Sequence, residues 1–258
     1  MKKLLKILAG IGTIVVIAIV AVMFMTAGMS DTADKFFSAV KSDNYEKAYS
    51  LLSEDFKSNT SKSQLKDYLT GNTLTEFKEA SWTSRSVNGG RGELTGSIIT
   101  KSGGVVPISL GFVKGANDWK IYSIKKPLSG IQEETKAAQL PSETEQIKLV
   151  NDAMYIFAAS VKDKSMLKMY NHVSNLWQKQ FSVEEFNKAF SSFFKFGDTL
   201  MILEQFSPSF SEKATIDKDG VLLLKGLYLT KPNQIYFEQK YIYEGLGWKL
   251  IAFNVNAK

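Results

Sequence analysis

Catalysis needs a group that can move a proton, attack a substrate or hold a metal, and this sequence supplies few. Cysteine is absent and His172 is the single histidine. Thiolate nucleophiles, disulfides and multi-histidine metal cages are excluded together. Carboxylates are plentiful, but a catalytic carboxylate needs burial to lift its pKa toward neutrality. The acids set among apolar residues are Glu93, Asp152, Asp198 and Glu204. Each reads more simply as a polar-face or turn residue. His172 follows Tyr170 near the end of a short helix and reads as a surface or capping histidine. Gly89-Gly90-Arg91-Gly92 is glycine-rich, yet it joins two strands and opens no helix, so it is a hairpin turn and not a phosphate cradle. The expectation is no catalytic residue, no metal and no cofactor. The alternative is an isomerase- or hydrolase-like enzyme using a buried carboxylate.

Aromatic residues are the stronger chemical signal. The second half carries Phe157, Phe186, Phe193, Tyr236, Tyr243 and Trp248, together with five candidates for a ligand-binding surface: Trp177, Phe190, Phe194, Tyr228 and Tyr241. A domain of this size needs large side chains to close its core, so most of these rings must be core. Those that line an open end are suited to an apolar ligand or a partner's segment. Exposed tyrosines such as Tyr241 and Tyr243 would instead suit a protein interface.

The elements that hold these residues follow a leader. Lys2, Lys3 and Lys6 precede 24 uncharged residues, Ile7 to Ser30. As a helix that run spans about 36 Å, enough for the roughly 30 Å of bilayer hydrocarbon. The lysines ahead of it favour the cytoplasmic side, which puts the body of the chain outside. The expectation is a signal anchor over residues 7–29, single-pass in the cytoplasmic membrane, with a cleaved signal peptide as the alternative. The leader holds half of the net charge of +6, and Arg85 and Arg91 are the only arginines. A lysine-rich solvated surface explains that balance, and no nucleic-acid partner is expected.

Beyond the leader the chain repeats one order of events. Ala33, Phe36, Phe37 and Val40 have helical spacing, a polar break follows at 41–44, and Tyr45, Ala48 and Tyr49 open a second short helix. Ser61 and Gln64 form a capping box ahead of Leu65 and Leu69. Strands are expected at about 76–87, 92–100, 105–114 and 119–125. The second pass has Ser142 and Glu145 capping a helix with Val150, Met154 and Phe157, a break at 162–164, and a capping box at Ser182 and Glu185. Phe181 and Phe186 stand where a hydrophobic staple requires them. Strands are expected at about 200–207, 210–217, 221–230, 234–243 and 248–255. Gly96 and Gly226 lie 130 apart, and Trp119-Lys120 and Trp248-Lys249 lie 129 apart, as duplication with altered turns would give. Pro127 and Ser129-Gly130 within it, and Pro141 just after it, mark the joint, residues 127–140.

The opening Phe36-Phe37 to Ala48-Tyr49 and the closing Asp118-Trp119-Lys120-Ile121 and Gly247-Trp248-Lys249-Leu250 resemble the nuclear transport factor 2-like family, whose fold is a cystatin-like α+β cone. The resemblance covers nearly all of the first repeat and the second more loosely. Together with the leader and the joint it gives an α+β chain: a transmembrane helix in 1–29, a first cone domain over 30–126, a linker over 127–140 and a second cone domain over 141–258, the two cones being what the resemblance implies. In each domain helices pack on a curved antiparallel sheet. It also implies bacterial membrane proteins of that group. The fold hosts enzymes and non-catalytic binding modules alike, so function is not read from it. The functional expectation is a non-catalytic, membrane-anchored extracytoplasmic module for binding or assembly at the bacterial envelope. Its partner would be another protein or a second copy, and the alternative is a carrier of a small apolar ligand in the second cone.

Overall fold

A computed structural model describes residues 28–116, 118–127 and 140–257. The chain divides into two compact units between Lys126 and Pro127.

In the first unit, helix α1 covers 28–41. It buries Met29, Ala33, Phe36, Phe37 and Val40, the stripe expected of an amphipathic helix. Asp43 takes a positive φ of 56° and ends the turn, and the Asn44 side chain then accepts from the Lys47 N–H to cap α2, Tyr45–Ser50. Ser53 caps α3, Glu54–Asn59. Ser61 and Gln64 make both bonds of a capping box at the start of α4, Lys62–Gly71. Four antiparallel strands follow in meander order: β1 Phe77–Asn88, β2 Arg91–Thr100, β3 Val105–Lys114 and β4 Trp119–Lys125. Val106, Ile108, Leu110 and Phe112 alternate into the core on β3. Leu52 meets β4 as an isolated parallel bridge to Ile121. There the Ser53 N–H donates to the Ile121 carbonyl at 2.9 Å, and the Ile121 N–H donates to the Leu51 carbonyl at 3.0 Å.

In the second unit, Ser142 caps α5, Glu143–Lys162, which buries Val150, Ala153, Met154, Phe157, Ala158 and Val161. Helix α6 is Leu167–His172, and α7, Asn175–Gln178, is capped by Ser174. Helix α8, Val183–Phe190, opens on the Ser182–Glu185 capping box and runs into a 3₁₀ segment, Ser191–Phe196. The sheet has β5 Ser209–Phe210, β6 Thr215–Ile216, β7 Leu222–Tyr228, β8 Ile235–Glu244 and β9 Gly247–Ala257. Its order is β5-β7-β8-β9, with β6 also on β7. Val173 makes an isolated parallel bridge to Leu250, and the Ser174 N–H donates to the Leu250 carbonyl at 2.8 Å.

Three expectations are corrected. The fold class stands as α+β without the transmembrane helix: among the described residues no helix is long and apolar enough to cross a membrane. The span expected over residues 7–29 lies outside the described residues apart from Gly28 and Met29. These two belong to α1, and Met29 is core. The strand expected at 200–207 is a 3₁₀ helix, Thr199–Gln205. Leu200 and Leu203 are buried while Ile202 is exposed, and that three-residue period belongs to a 3₁₀ turn and not to an alternating strand. The strand expected at 210–217 is broken in two, because the four residues 211–214 stand opposite only Leu224 and Lys225 of β7.

Gly96 and Gly226 answer to the same local demand. Each lies on a strand where the neighbouring strand crowds its backbone. A Cβ at Gly96 would stand 2.1 Å from the Ser81 carbonyl oxygen, and one at Gly226 would stand 2.2 Å from that of Ser209.

Candidate binding site

The inner face of the second sheet is filled by rings. Phe157 on α5 meets Phe190, Phe193 and Phe253 at centroid distances of 5.6, 5.2 and 4.9 Å. Phe186 on α8 meets Tyr170 at 5.4 Å, Trp177 at 5.0 Å and Phe181 at 6.4 Å. The Phe181–Phe186 contact is a hydrophobic staple across the Ser182 cap.

The five candidate residues separate into two groups. Trp177, Phe190 and Phe194 are half-buried and pack against the core, with Phe190 6.1 Å from Phe186. Tyr228 and Tyr241 are fully buried and belong to the core itself. The Tyr228 hydroxyl donates to Asn151 Oδ1 at 2.7 Å. The Tyr241 hydroxyl lies 2.9 Å from the Leu149 carbonyl and also touches Gln239 Oε1. Burial pushes both phenols above their usual pKa. Tyr241 is therefore not the exposed interface tyrosine that the sequence alternative required. Tyr243 is half-buried, with its hydroxyl donating to the Leu246 carbonyl at 3.0 Å.

The stretch of chain that supplies Phe186, Phe190 and Phe193 also leaves large apolar side chains exposed. Leu176, Phe181, Phe196 and Ile202 are 37%, 43%, 38% and 42% exposed. All four come from the stretch between α7 and the end of the second 3₁₀ segment. Elsewhere in the second unit Leu167 and Leu229 are exposed as well, at 50% and 56%.

The titratable groups are set differently. Glu93, Asp198 and Glu204 are exposed, and Asp152 is paired with Lys148. His172 is half-buried, and its pKa is held below the usual value first by burial and then by the Lys249 and Lys148 charges, with Asp152 opposing. Glu244 is fully buried and accepts from the Asn175 N–H at 3.1 Å, at the start of α7. Among the described residues no group of three or more metal-ligating side chains is present. Gln239, Asn151 and Glu244 were not singled out from sequence. The signal for Gln239 was available: it alternates with Phe237 and Tyr241 on β8, so it must share their inward face.

The chain matches no family model. It matches no curated protein. It is similar to a solved structure, a cystatin-like protein from Ruminococcus gnavus, at 9% identity and a TM-score of 0.28, over 92% of this chain and 95% of that chain. Likeness at that level carries no weight for function. The α+β class stands on the strand order and helix packing described above.

Proposed function

We propose that this protein is a non-catalytic binding or assembly module, working on the outer side of the bacterial cytoplasmic membrane with a protein partner. The observation that carries the reading is the exposure of Leu176, Phe181, Phe196 and Ile202 in the stretch of chain that also supplies rings to the core. A rigid aromatic base with apolar residues left at its edge is the composition of a protein-binding patch. Support for the address comes from sequence alone: three lysines ahead of the uncharged run.

The finer family reading, two tandem nuclear transport factor 2-like cones, belongs here as well. In its favour are the matched bridges Leu52–Ile121 and Val173–Leu250 and the matched glycines Gly96 and Gly226. Failure of residues 30–126 and 141–258 to superpose in an experimental structure removes it.

Photo-crosslinking in living cells tests the function. A crosslinker at Phe196 or Ile202 is expected to trap one discrete protein species, and one at the exposed Lys218 none. Equal trapping at all three positions overturns the reading. A second reading, a carrier of a small apolar ligand in the second unit, draws on the buried amide of Gln239.

A further inference from the structure

Gln239 is fully buried on an interior strand of the second sheet, between Leu224 of β7 and Phe253 of β9. Its Nε2 finds no hydrogen-bond partner among the described residues. Its Oε1 touches the Tyr241 hydroxyl, which also lies 2.9 Å from the Leu149 carbonyl. The hydrogens do not balance. Tyr241 has one proton and faces two acceptors, while the amide has two protons and faces none.

Rotating the amide by half a turn, a choice that oxygen and nitrogen positions alone do not fix, mends most of this. Nε2 then donates to the Tyr241 oxygen, and Tyr241 donates to the Leu149 carbonyl. One group is left over: the Gln239 carbonyl oxygen, buried and aimed away from Tyr241. A buried acceptor with no donor is rare in folded proteins and calls for one.

We propose that the interior of the second unit binds one hydroxyl donor at the Gln239 carbonyl, supplied by a water molecule or by the alcohol group of a small apolar guest. The alcohol source rests on the carrier reading; the water source does not. Either source supplies the missing proton.

The test is a crystal structure of the full-length protein at atomic resolution, with a second structure of Gln239→Met. The expected result is a non-protein oxygen within hydrogen-bond distance of the Gln239 amide. An isolated oxygen identifies water and removes the carrier reading alone. An oxygen continuous with carbon density identifies an alcohol guest. An amide surrounded only by carbon overturns the proposal. In Gln239→Met the oxygen is expected to be lost with Tyr241 still in place; its persistence shows that Gln239 does not hold it and overturns the proposal equally.

Discussion

Leu52 and Ile121 are joined by a parallel bridge that ties the short helices of the first unit to the last strand of its sheet. Val173 and Leu250 stand in the same relation in the second unit. In both, the residue after the bridge is a serine that caps the next helix, Ser53 and Ser174. The bridge thus sets where the sheet edge ends and where a helix begins. Leu52→Ala should cost about 2–5 kcal/mol, as for other buried leucines. Urea unfolding followed by circular dichroism measures it, and a loss well under 1 kcal/mol would show that the bridge holds by backbone alone.

Glycine positions predict opposite signs. Gly96→Ala forces a Cβ against the Ser81 carbonyl and should lower stability by about 1–3 kcal/mol. Gly71 ends α4 with open space around it, so Gly71→Ala should raise stability by roughly 0.5–1 kcal/mol. A thermal melt of each variant decides, and a shared sign would contradict the packing described.

His172 predicts a pH dependence. Its folded pKa lies below the usual 6.5, so the unfolded chain takes up a proton more readily. Stability is unaffected at high pH, begins to fall as pH drops through about 6.5, and levels off once the folded form is protonated too. The urea midpoint should be lower at about pH 5.5 than at about pH 7.5, and His172→Asn should flatten that difference. A slope unchanged by the substitution assigns it to other groups.

Ile202 separates binding from folding. It is exposed in a 3₁₀ segment whose buried residues are Leu200 and Leu203. Ile202→Ser should change stability by no more than about 0.5 kcal/mol. It should nonetheless weaken partner binding about tenfold, or roughly 1.4 kcal/mol. Titration against the crosslinked partner reads this out, and unaltered affinity would move the contact away from Ile202.

Local chemistry was legible where a few neighbouring residues decide the outcome. Ser61 with Gln64 and Ser182 with Glu185 announce helix starts, and both boxes form with both bonds. Alternation on β3 and the glycine turns fixed strand limits to within a residue or two. Helix α3 was passed over because Phe56 is its single buried residue, although Ser53 ahead of Glu54-Asp55 is a visible cap. The strands expected at 200–207 and 210–217 do not form as expected for two reasons: the first stretch has a three-residue period in place of alternation, and the second is interrupted by what lies opposite it on β7. Tyr241 read as an interface residue because its burial depends on α5, 92 positions away in sequence. Gln239 carries no charge to mark it, yet a neutral amide in an apolar interior is costly to leave unpartnered.

The interruption between β5 and β6 has a consequence for how the protein keeps to itself. An outermost strand with a continuous row of unpaired amides invites a neighbouring molecule to extend the sheet. In the second unit that side offers only two-residue fragments with a detour between them, and the opposite side is met by Val173. In the first unit β4 is met by Leu52, while the long β1 carries Lys78, Glu79 and Arg85 and two irregularities in its pairing. Each sheet thus has one side on which a neighbouring molecule finds a broken or irregular ladder to extend.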